Sequence, residues 1–185
     1  MLFLRSLMQF FPVILIVVLF SCKGKTDPAK EMAMQEAALN GETQAVESLI
    51  GEGIDVNAVD PENRTALMYA SFNGHIDIVQ ALLNAGAEVS LRDAMGRTAL
   101  LYASSGPFPE TVKLLLENNA DPNIRDADEH FTPVMHAAAE GQLEVVKILL
   151  EYGADPSLKD IDGEDAELFA RQNGHTEIAD LLKSQ

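Results

Sequence analysis

The stretch TPVMHAAAEGQLEVVKILLEYGAD, residues 132–155, holds a threonine-proline start, a pair of alanines, a glycine, and then a run with paired leucines ending in Gly153-Ala154-Asp155. Moving outward from it, the same small residues return at fixed intervals. Ala37, Ala70, Ala103, Ala137 and Ala170 are separated by 33, 33, 34 and 33 residues. Gly41, Gly74, Gly141 and Gly174 follow four residues behind, with Pro107 standing in the third copy. Thr65, Thr98 and Thr132 open three of the copies. A period near 33 with leucine pairs at constant offsets signals a repeat architecture rather than one globular core.

The second copy shows how a unit should fold. Thr65 to Ala70 begins a short helix with apolar residues at helical spacing. Asn73-Gly74 ends it, because glycine accepts the left-handed conformation that terminates a helix. A second helix follows in IDIVQALLNAG, where Ile78, Val79, Leu82 and Leu83 share one face, and Gly86 closes it. The extended piece from Glu88 to Arg92 leads to Asp93 and the next turn. One such pair cannot bury its apolar face alone, so the core must come from stacking neighbours.

These patterns resemble the ankyrin repeat family over residues 29–185. The family's D-x-x-G-x-T-P-L, A-A-x-x-G, V-x-x-L-L and G-A-D-x-N segments are read most cleanly in residues 132–155 and in the turn from Arg92 to Thr98. The resemblance implies an all-α solenoid of about five helix-turn-helix units with projecting finger turns. The units fall near 28–59, 60–92, 93–125, 126–159 and 160–185. The histidine usual in the family's first helix is replaced by Met68, Leu101 and Met135, while His136 falls one position later, beside Tyr69 and Tyr102. The outer copies depart further: Asp27-Pro28 supplies an N-cap and a proline at the first helical position. The last copy has Asp165-Ala166 and a polar Lys183-Ser184-Gln185 end, as capping copies that face water require.

Ahead of the repeats lies a different kind of sequence. Residues 1–21 hold one charged side chain, Arg5, and the apolar run FFPVILIVVLF from Phe10 to Phe20, which has the layout of a secretory signal. The chain's one cysteine, Cys22, follows at once. Leu19-Phe20-Ser21-Cys22 resembles a bacterial lipobox, which implies that residues 1–21 are a signal peptide and that Cys22 carries the lipid. Residues 22–27 then form the lipidated cysteine and a short tether, whose Lys23–Thr26 stretch spans at most ~14 Å. Lys23 and Lys25 would lie at the lipid surface. The expected location is a bacterial cell envelope, facing the periplasm or the cell surface.

Charge narrows the partners. The chain has 13 Lys and Arg against 29 Asp and Glu. Without residues 1–21, which remove only Arg5, the balance is 12 against 29, a formal charge of −17. Nucleic-acid binding wants the opposite surplus. A protein partner, if charged, should be basic.

Catalytic constellations are not legible. His75 and His175 share one register, which points to packing and turn hydrogen bonds. His130 and His136 lie six residues apart, unsuited to a zinc pair on a helix. Asp160 to Asp165 has its glycine at the fourth position, against the sixth in an EF-hand, and repeats the turn aspartates Asp60, Asp93 and Asp126. No Ser-His-Asp arrangement, phosphate loop or G-x-S-x-G elbow is present, so neither enzyme, metal nor cofactor is expected.

In the resembled family, partners bind to the concave face made by the fingers and first helices. Carried over by position, that face holds Glu62, Arg64, Met95, Arg97, Phe131 and Glu164 from the fingers. The first helices add Tyr69, Phe72, Tyr102, His136 and Gln172. Aromatics with arginine are the composition of binding hot spots. Phe108, bracketed by Pro107 and Pro109, has two readings: local packing with Pro109 opening a helix, or a stiff protrusion offered to a partner. The extra residue within Asp126–Phe131 lengthens one finger. The expectation is a concave protein-binding module, read concretely as an inhibitor or protective partner of a secreted or cell-wall enzyme. The alternative is a structural scaffold without effect on activity.

Overall fold

Thr65 and Thr132 each accept a hydrogen bond on their hydroxyl from the backbone N–H three residues on, and the sulfur of Met68 or Met135 accepts the threonine's own N–H. The methionines that replace the family histidine thus close a reciprocal cap. Leu101 has no such atom, and Thr98 Oγ1 is buried without a partner among the described residues. Asp27 and Asp165 cap the outer copies through their carboxylates.

The computed structural model describes residues 27–184. The expected signal segment 1–21, Cys22 and the tether to Thr26 lie outside the described residues. Among the described residues ten helices form five antiparallel pairs: α1 (Pro28–Asn40) with α2 (Thr43–Gly51), α3 (Ala66–Phe72) with α4 (Ile76–Asn84), α5 (Ala99–Ser104) with α6 (Pro109–Glu117), α7 (Pro133–Ala139) with α8 (Leu143–Glu151), and α9 (Ala166–Gln172) with α10 (Thr176–Lys183). The first helices pack in one row and the second helices in another. Between the rows runs a continuous core, with Met34, Leu67, Ile78, Leu82, Leu100, Val112, Leu115, Met135 and Leu149 fully buried. Truncating one such leucine to alanine costs about 2–5 kcal/mol. The register alanines are buried because the inner helices approach closely there. Among the described residues no helix is long and apolar enough to cross a membrane.

Neighbouring units are joined at three places. Along the finger edge, Ala94 N–H donates to Glu62 O, Ala127 N–H to Met95 O, and Ile161 N–H to Glu129 O, at 2.8, 2.8 and 3.1 Å. At the turn between helices, a ring from one unit covers the glycine of the unit before. His75 lies over Gly41 and His175 over Gly141, each with Nε2 within hydrogen-bond distance of a helix-end carbonyl, Leu39 O or Ala139 O. Phe108 takes the same place over Gly74, whose φ is +68° and whose Cβ, were it present, would meet the ring at 2.1 Å. On the opposite edge, Asn57 bridges to Gly86 O and Glu88 N–H, and Asn123 to Gly153 O and Asp155 N–H. Ser90, which occupies that register in the second unit, makes no such bridge among the described residues.

The placement of Phe108 favours one of its two readings. Pro109 opens α6, and the half-buried Phe108 side chain just before it lies against Gly74 and Gly106. It fills the histidine position of the stack, which is the local-packing reading of this segment rather than a stiff protrusion.

Candidate functional site

Four aspartates, Asp60, Asp93, Asp126 and Asp160, build the fingers in the same way. One carboxylate oxygen, Oδ1, accepts two backbone N–H groups across each turn: from Glu62 and Arg64, Met95 and Arg97, Glu129 and Phe131, and Asp162 and Glu164. Each turn needs one left-handed residue, supplied by Asn63, Gly96, His130 and Gly163. His130 therefore serves the turn, and the extra residue of the fourth finger is absorbed within it.

The second oxygen, Oδ2, divides the fingers into two kinds. In the second unit it accepts Arg64 Nε at 2.9 Å and the Tyr69 hydroxyl at 2.6 Å. In the third unit the Asp93 oxygen accepts Arg97 Nε at 3.1 Å and Tyr102 at 2.6 Å. Each guanidinium also stands over its tyrosine ring, 5.1 and 4.6 Å from the centroid. Burial opposes ionisation of both aspartates. The hydrogen bonds from tyrosine and arginine outweigh it and hold both carboxyls below the usual carboxylate range. Burial, then the bond to aspartate, pushes both tyrosines up to about 12. The result is two hydrogen-bonded Asp-Arg-Tyr triads whose arginines and tyrosines line one hollow.

Between them the exposed ring of Phe72 meets Tyr102 edge-on at 5.9 Å. Leu39, Met68, Tyr69, Phe72 and Tyr102, with Arg64 and Arg97, enclose a hollow of about 370 Å³. Glu62 lies at the finger tip, paired with Arg64 at 3.0 Å. Met95 is exposed on the next finger. The structure thus assembles Arg64, Tyr69, Phe72, Arg97 and Tyr102 into one surface.

Phe131 and His136 form a separate cluster. The Phe131 ring contacts His136 at 5.3 Å and Phe169 at 4.8 Å, both edge-on. Burial pushes the His136 imidazole down, against the pull of Asp126, and Nε2 is buried without a partner among the described residues. Asp126 Oδ2 takes no donor there. Phe169 is the fourth rung of the stripe that begins Tyr69, Tyr102, His136, and the spacing of 33, 34 and 33 residues in the sequence carries that signal. In the last unit Glu164 accepts from Gln172 at 3.0 Å. Among the described residues no three His, Cys, Asp or Glu side chains converge to hold a metal ion.

The family model for ankyrin repeats (3 copies) matches residues 13–93, 34–126, 89–160 and 109–185. The chain belongs to the ankyrin repeat family. No curated protein compared with it gives a match. Ankyrin repeats serve as protein–protein interaction modules and are typically non-enzymatic. Membership of the family points to a protein as the partner class.

Proposed function

We propose that this ankyrin protein is an envelope-anchored binding module that recognises one periplasmic or surface protein through its concave face. The observation that carries the binding surface is the arrangement of Tyr69, Phe72 and Tyr102 around a hollow braced by two Asp-Arg-Tyr triads. Aromatic side chains held rigidly lose little entropy when a partner docks, which favours them as anchors. The anchor is proposed from the Leu19–Cys22 lipobox resemblance. Its thioether lipid on Cys22 would hold the repeats close to a membrane.

The acidic balance of the chain would speed encounter with a basic partner. On this reading the protein inhibits or shields a secreted or cell-wall enzyme by covering its cleft. A scaffold of an envelope complex is the second reading, and it differs in leaving the partner's rate unchanged. The test uses the full chain as bait for crosslinking in its native envelope, beside a Tyr69→Ala/Phe72→Ala/Tyr102→Ala bait. One dominant partner lost from the triple variant supports the module. Its assay with and without the protein separates inhibitor from scaffold. Recovery of the same proteins by both baits would remove the concave surface from the proposal. Labelled palmitate incorporation that disappears in Cys22→Ser supports the anchor, and equal labelling of both chains would refute it.

A further inference from the structure

The first unit has no finger. Where one would stand, α1 continues for more than a turn beyond the start of the other inner helices, its Ala37 aligned with Ala70 of α3. Lys30 pairs with Glu52 and Gln35 donates to Ala58 O, so the extension is fastened to α2 and to the base of the next finger. On its groove side Glu31, Met32, Glu36 and Leu39 share one helical face. Opposite stand Val59 and Pro61, and the space between measures about 470 Å³. It joins the aromatic hollow through Leu39 and Tyr69, which line both.

Two properties of this space point to one chemistry. Met32, Leu39 and Val59 leave 66, 39 and 48% of their surfaces exposed, an unusual concentration of bare apolar side chains in one hollow. The lining also contains carboxylates and no lysine or arginine. Asp60 is already bonded on both oxygens, but Glu31 and Glu36 have no ion-pair partner among the described residues. Lys30, the cation on the same helix, is turned to Glu52. We infer that this hollow seats a segment of the protein partner in which lysine or arginine flanks an aliphatic or aromatic side chain. The apolar residue fills the floor between Met32 and Val59 while its basic neighbour reaches Glu31 and Glu36. The inference rests on the protein-binding reading above and adds the partner's chemistry and a contact region outside the Phe72 surface.

The test places a photoreactive p-benzoylphenylalanine at Met32, or separately at Phe72, in the full chain within the cells that make it. Illumination and mass spectrometry then locate the joined segment. The expected product at position 32 is a partner segment with lysine or arginine within four residues of an apolar side chain. Glu31→Lys/Glu36→Lys should abolish that product, and a synthetic peptide of the segment should lose about tenfold or more in affinity for the same variant. Glu151→Lys/Asp180→Lys, an equal charge change on the outer helices, should leave both intact. An acidic or uncharged segment, a second copy of this chain, or the chain's own residues 22–26 would overturn the inference. So would a product that survives the Glu31/Glu36 reversal or is lost equally with the outer one. A product at 72 without one at 32 would overturn this inference alone. None at either position would overturn the binding reading with it.

Discussion

The second and third fingers differ from the fourth in what surrounds one oxygen atom. All three hold their turn through aspartate Oδ1, with the same pair of backbone donors. Asp60 and Asp93 use Oδ2 to fix arginine and tyrosine, whereas beside Asp126 those positions are Phe131 and His136. The comparison separates scaffold from surface within a single side chain. The Oδ1 bonds hold the turn in all three fingers although the residues around Oδ2 differ.

The largest break in this comparison should come from removing whole carboxylates. Asp93→Ala strips the turn and leaves Arg97 and Tyr102 unpaired, so about 2–3 kcal/mol of stability should be lost, the partial exposure of Arg97 moderating the usual cost of a broken buried pair. Asp126→Ala removes only the turn bonds and should cost about 1 kcal/mol. Urea midpoints for the two variants measure the difference, and equal losses would show that the Oδ2 bonds add nothing.

High pH should distinguish the two kinds of finger next. Tyr69 and Tyr102 ionise near 12 when folded against an ordinary value of 10.0. A raised value means that their contribution is complete below pH 10 and vanishes as pH rises through 12. The denaturation midpoint should fall across that window in the native chain, and by less in Tyr69→Phe/Tyr102→Phe. An identical fall in both would dissociate the tyrosines from the effect.

Converting one finger into the other sharpens the contrast. Phe131→Arg alone loses two ring contacts, and His136→Tyr alone gains a hydroxyl opposite the vacant oxygen of Asp126. Together they should rebuild a triad, giving a favourable coupling of about 1 kcal/mol in a double-mutant cycle. Additive effects would mean that the extra finger residue forbids the geometry.

The smallest effect belongs to His136, which faces Asp126, Arg97 and Glu140. Its value is lowered, so its contribution is complete above its ordinary 6.5 and is lost as pH falls through the lower folded value. His136→Leu should flatten stability in that acid range. An unchanged pH profile would place the acid sensitivity elsewhere.

The helices and their limits were legible because five copies repeat one instruction, and Ala37, Thr65, Gly74 or Asp160 each gains meaning from its counterparts. The proposed binding surface includes positions shared by only two copies, and there the register helps less. That Tyr69 and Tyr102 are groove residues followed from position, but their bonds to Asp60 and Asp93 depend on side-chain direction, which spacing does not carry. Phe108 kept two readings, local packing and protrusion, because the prolines around it are unusual and its structural counterpart, His75, carries a different ring type. Phe169 was accessible to register arithmetic. The early start of α1 was readable from Asp27-Pro28, but the hollow its extension forms with Val59 and Pro61 was not, since a unit without a finger offers nothing to align there.

Among the described residues, the joint between the second and third units lacks the asparagine bridge found at the joints on either side of it. Asn57 and Asn123 tie the edge opposite the fingers between the first and second units and between the third and fourth, while Ser90 leaves the second and third untied. The backbone bond from Ala94 to Glu62 still fixes the finger edge at that joint. Phe108 over Gly74 and the packing of α3 on α5 also cross that joint, so of the three fastenings it lacks only the edge opposite the fingers, and Tyr69 and Tyr102 lie on its two sides. Hydrogen exchange should show residues 28–90 and 91–184 opening as two blocks, and Ser90→Asn should merge them. Tyr69 and Tyr102, which line the aromatic hollow, belong to the two units that this joint connects.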